Sequence, residues 1–132
     1  MINIFNQAYT LLVNALATYD ENIKTSSVYT NTPSDYPFVS FEEIDNSVYE
    51  LTSDSCDIEN HARIEFEINI YTKNPQKKSK GDAIANVVDN LLKQYNFVRQ
   101  SKNVLQDTNE TIYRIVIRYS GVVSKDNVIY RR

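Results

Sequence analysis

Along Ala62–Thr72 apolar and polar residues alternate one by one, with Ile64, Phe66, Ile68 and Ile70 set against Arg63, Glu65, Glu67 and Asn69. A period of two places the first set on one face of a β-strand and the second on the other, the signature of a strand with one face in a core. A second run, Thr111–Val123, alternates the same way, with Tyr113, Ile115, Ile117 and Tyr119 on one side and Ile112, Arg114, Val116 and Arg118 on the other. Spacings of three and four residues mark two helices. In Met1–Tyr19 the stripe runs through Ile2, Phe5, Tyr9, Leu12 and Leu16, broadened by Ile4, Ala8, Leu11 and Ala15. Before Asn96 it runs through Ile84, Val87, Val88, Leu91, Leu92 and Tyr95.

Shorter signals fill the intervals. Pro33-Ser34-Asp35 is a turn signal, and Tyr36–Ile44 reads as a strand beginning just after Pro37, extended or paired by Val48–Leu51. A short edge strand fits within Asp20–Thr32, another strand fits Phe97–Val104, and Val128–Arg131 reads as a last strand hairpinned to Thr111–Val123. The polar, acidic stretch Thr52–His61 reads as a loop. Ser79 and Asp82 have the spacing of a capping box at the start of the second helix. Together these elements predict one α+β domain over residues 1–132, a mainly antiparallel sheet of four to five strands with two principal helices packed on one face.

Composition narrows the function classes. The chain of 132 residues is 42% hydrophobic and 23% charged, ordinary for a globular domain and sufficient for a real core. A net charge of −3 does not suit a dedicated nucleic-acid binder, whose phosphate contacts need concentrated Lys and Arg. One cysteine, Cys56, excludes a disulfide framework within the chain and any multi-cysteine zinc site. No apolar run approaches the ~20 residues that span a bilayer, and no leader pattern opens the chain, so a cytoplasmic site of synthesis and no membrane partner are expected. Ten tyrosines against five phenylalanines suit half-wet surfaces such as subunit contacts, although sheets favour tyrosine on their own account.

Candidate chemistry is sparse. His61 is the single histidine, beside Asp54, Asp57 and Glu59, but the spacing matches no EF-hand pattern and the glycine that such a loop needs at its turn is missing. Cys56 with His61 as a nucleophilic pair has nothing beside it to lower the thiol pKa. Glu65 and Glu67 share a strand face, and cross-strand pairing with Arg114 and Arg118 explains all four without catalysis. With Gly81 and Gly121 as the only glycines, no phosphate-cradling loop can be built. No enzyme activity, cofactor or metal is expected. Two features invite a binding role. The face holding Arg114 and Arg118 also holds Ile112 and Val116, a mixture typical of subunit interfaces. Lys73, Lys77, Lys78 and Lys80 gather where the second helix opens, at the end of the macrodipole that disfavours cations, which makes them candidates for a partner or DNA contact.

The order of the segments resembles the tail terminator, or tail completion, proteins of long-tailed bacteriophages and prophage-derived particles. The segments that carry the resemblance are the N-terminal amphipathic helix, the strand at Tyr36–Pro37, ARIEFEINIYTKN, the helix DAIANVVDNLL, and the closing IYRIVIRYSGVV and VIYRR. The lysine-rich helix entrance and the scarcity of glycine are particular to this chain. The resemblance implies a non-enzymatic virion protein at the head-proximal end of the tail, assembled in the host cytoplasm. It would form a ring, usually a hexamer, on the tail tube, stop tube polymerisation and meet a neck or connector protein while DNA passes through. The ring contact is expected on Arg63, Glu65, Glu67, Ile112, Arg114, Val116 and Arg118, aided by Tyr130–Arg132. Another head–tail joining, neck or minor capsid protein, or a cellular adaptor domain, are the competing readings.

Overall fold

The computed structural model describes residues 3–28, 35–48, 61–74, 76–106, 111–124 and 129–130. In chain order these form α1 (Phe5–Tyr19), β1 (Lys24–Ser26), β2 (Phe38–Val48), β3 (His61–Lys73), α2 (Lys77–Gln94), β4 (Val98–Gln106), β5 (Ile112–Ser124) and β6 (Ile129–Tyr130). The strands make one sheet in the order β1-β2-β3-β5-β4, with β6 beside β5. Every pairing is antiparallel except β1 with β2, which is parallel. The fold is thus the expected α+β arrangement, and β6 lies across from Val122 and Val123 of β5 as a hairpin return.

Register follows from the alternation in β3. Ile64, Phe66, Ile68 and Ile70 face Gly121, Tyr119, Ile117 and Ile115 across β5, and Val39 and Phe41 of β2 face Ile70 and Ile68. All but the glycine belong to the core cluster on the helix side of the sheet. Leu12 and Leu16 of α1 and Val88 and Leu92 of α2 close over them, each at most 3% exposed, and each such side chain removed from water contributes roughly 1.5–3 kcal/mol. The stripe of α1 is narrower than its sequence pattern, because Leu11 is left 38% exposed at the helix edge. At the N-terminus of α1, Asn3 Oδ1 accepts the Phe5 amide at 3.1 Å, satisfying one of the helix's free donors.

An aromatic row crosses the core. Phe66 lies between Phe41 (ring centroids 4.7 Å) and Phe97 (5.1 Å), and Phe5 of α1 reaches Phe41 at 5.4 Å. Phe97 is 1% exposed and occupies the space that a side chain at Gly121 would need, since an added Cβ would come within 2.8 Å of its ring. Gly81 plays the same part for α2, where an added Cβ would meet the Tyr113 ring at 2.7 Å.

α2 is also held to the sheet by polar latches. The Tyr119 hydroxyl donates to Asp89 at 2.8 Å and the Tyr113 hydroxyl to Asp82 at 3.2 Å. Arg99 of β4 and Lys93 of α2 both approach Asp89, at 3.4 and 3.1 Å. Burial alone would raise the Asp89 carboxyl, but the Tyr119 hydroxyl, Lys93 and Arg99 together hold it below the usual aspartate range. Burial, followed by the bond to Asp89, pushes the Tyr119 phenol far up, so it remains a donor. The helix itself begins at Lys77 after Gln76, which takes the left-handed conformation at φ 61° and makes no side-chain cap. Ser79 and Asp82 therefore lie inside the helix and form no capping box, because Asp82 is committed to Tyr113. Thr72 instead ties strand to helix by donating to the Lys77 carbonyl at 2.6 Å.

Two outcomes test this core. Gly121→Ala forces Phe97 out of its place and should cost about 1–3 kcal/mol, read by urea unfolding; an unchanged midpoint contradicts the close approach. Asp89→Asn should cost roughly 1.5–3 kcal/mol at neutral pH. Since Asp89 is held low in the folded chain, its contribution is complete above the unfolded aspartate value and is lost as pH falls through the folded one. The gap between wild type and Asp89→Asn should therefore close on acidification below pH 3.8, the ordinary aspartate value.

Candidate interaction surface

The pleat that sends the β3 isoleucines to the helices sends Arg63, Glu65, Glu67, Asn69, Tyr71 and Lys73 to the opposite face. Across β5 these meet Val122, Ser120, Arg118, Val116, Arg114 and Ile112 in turn. The expected contact residues Arg63, Glu65, Glu67, Ile112, Arg114, Val116 and Arg118 are thus brought together on one sheet face. Tyr130 joins it by register, opposite Val122; Arg131 and Arg132 lie outside the described residues.

This face is not uniformly wet. Ser40, Asn69, Tyr71 and Ser120 are 0% exposed, and Val116 and Val122 are nearly so. Arg114 crosses this closed centre, donating from Nη2 to Asn69 Oδ1 at 3.1 Å and stacking over the Tyr71 ring at 5.3 Å. At its margin the charges are paired. Arg118 reaches Glu67 at 3.5 Å while its side chain stays 56% exposed, and Arg63 reaches Glu65 on its own strand at 3.2 Å. Cross-strand pairing therefore accounts for Glu67 and Arg118 as expected, but Glu65 and Arg114 find other partners. Glu42 of β2 lies directly opposite Glu67, and burial first, then the Glu67 charge, raises its carboxyl above the usual range.

Sequence reasoning placed Asn69 on this face but left it out of the contact set, and missed Tyr71 and Glu42. Continuing the period-two count two residues further along β3 would have found Tyr71. Glu42 needs the β2–β3 register, which no local pattern supplies. Three of the described tyrosines are taken up within the chain: Tyr71 and Tyr119 are fully buried, and Tyr113 and Tyr119 spend their hydroxyls on α2 carboxylates.

The four lysines separate. Lys73, at the end of β3, lies 5.6 Å above the Tyr36 ring. With Lys80, Asp35 and Asn74 it lines a shallow cleft of about 270 Å³. Lys77 and Lys78 sit in the first turn of α2, whose first turn has no acid. The run is thus a strand end and a helix start. His61 opens β3; Asp54, Cys56, Asp57 and Glu59 lie outside the described residues. Among the described residues no three His, Cys, Asp or Glu side chains converge on a point, and no helix is long and apolar enough to cross a membrane.

No protein-family model matches the chain, and no curated protein matches it. Among solved structures, the bacteriophage SPP1 gp17 protein aligns over 87% of this chain and 88% of its own, with 17% identity and a TM-score of 0.42. A likeness of that size says nothing about what this chain binds or assembles with, so function rests on the residues above.

The two arginines of β5 should respond differently to charge reversal. Arg114→Glu deprives buried Asn69 of its donor and sets a carboxylate over Tyr71, at a cost of roughly 1.5–3 kcal/mol. Arg118→Glu loses an exposed pair and should stay within about 1 kcal/mol of wild type. Thermal unfolding of the two variants checks this; equal losses would mean that Arg114 is not anchored as described.

Proposed function

We propose that this chain is a structural protein of a phage or prophage-derived particle, a tail terminator that closes as a ring, six subunits in the simplest case, on the head-proximal end of the tail tube. It works without catalysis, cofactor or metal: by occupying the tube end it stops polymerisation, and its free rim serves the neck or connector protein. DNA passes through the ring, and the net charge of −3 suits a lumen that must not grip it.

The observation that carries the proposal is the sheet face of β3 and β5, where exposed Arg118 and partly exposed Arg63 and Glu65 surround a closed centre containing Val116, Tyr71 and Asn69. An exposed margin that mixes arginine and glutamate around apolar neighbours has the residue types of a subunit contact. The likeness of the whole succession of segments to tail terminators supplies the kind of assembly. A ring requires a contact between two different surfaces of each copy, closed by rotation. Lys73 at the end of β3 and Lys77, Lys78 and Lys80 in the opening turns of α2 are the cations available for tube, neck or passing DNA.

Negative-stain imaging of tail tubes polymerised with and without the purified protein tests the proposal. Rings with a central opening, seated on tube ends, and tubes that cease to lengthen are expected; tubes that bind no protein and grow unchanged would overturn it. Arg118→Glu, which keeps the fold, should abolish both effects if this sheet face makes the contact.

A further inference from the structure

No further inference is drawn: the strongest candidate, the apolar groove between α1 and α2 lined by Ile4, Ala8, Leu11, Leu91 and Tyr95, carries nothing, because nothing in the structure shows what covers it.

Discussion

The close approach of Phe97 to Gly121 is the constraint on which the core depends. Phe97 is the third residue past the end of α2 at Gln94, its amide bonded to the Leu92 carbonyl at 2.9 Å, so its position fixes where the helix ends relative to β5. It can lie flat on β5 only because residue 121 has no side chain. From there the row passes to Phe66 on the central strand, to Phe41 on β2 and to Phe5 on α1. Both helices and three strands are thereby located by one line of rings. A close-packed interior transmits a displacement at one member to the others, so the scarcity of glycine in this sequence reflects two places where helix or aromatic ring meets strand, one glycine for each.

The opposite face obeys a different rule. A monomer with helices on one side should leave the other side wet, yet its centre is closed, with Asn69, Tyr71 and Ser120 removed from water. Buried polar groups hold only when their partners are in place, and Arg114 supplies part of that by bridging Asn69 and the Tyr71 ring. The desolvation of this surface has already occurred within the single chain. Under the proposed ring, a neighbour docking there would meet residues already ordered, which reduces the cost of fixing side chains on association.

How much of this the sequence disclosed depended on whether a feature was local. The alternation in β3 and β5 and the stripes of α1 and α2 survive intact in the fold, because a period of two or 3.6 is imposed by backbone geometry within one element. The strand ends at Pro37 and the last hairpin were readable for the same reason. What stayed hidden was set between elements. The parallel β1–β2 pair, the bulges at Ile44 and Gln100, and Glu42 facing Glu67 are matters of register. Asp82 looked like a helix cap from its spacing to Ser79, but the hydroxyl of Tyr113, thirty-one residues on, claims it. The tyrosine surplus suggested a wet surface; tertiary packing removed Tyr119 to the helix-side core and Tyr71 to the closed centre of the other face instead.

The paired latches of α2 have a mechanical consequence. A helix lying on a sheet through apolar contacts alone can slide by small steps, since one aliphatic neighbour is much like the next. Asp82 on Tyr113 and Asp89 on Tyr119 bind α2 to one strand at two separate points, and the second is partly buried and shared with two cations. Sliding or rolling the helix would break both at once and strand a carboxylate. Helix layer and sheet therefore behave as a single stiff plate under shear. Any signal passing through such a plate has to travel by its rims and loops, while the body between them keeps its shape.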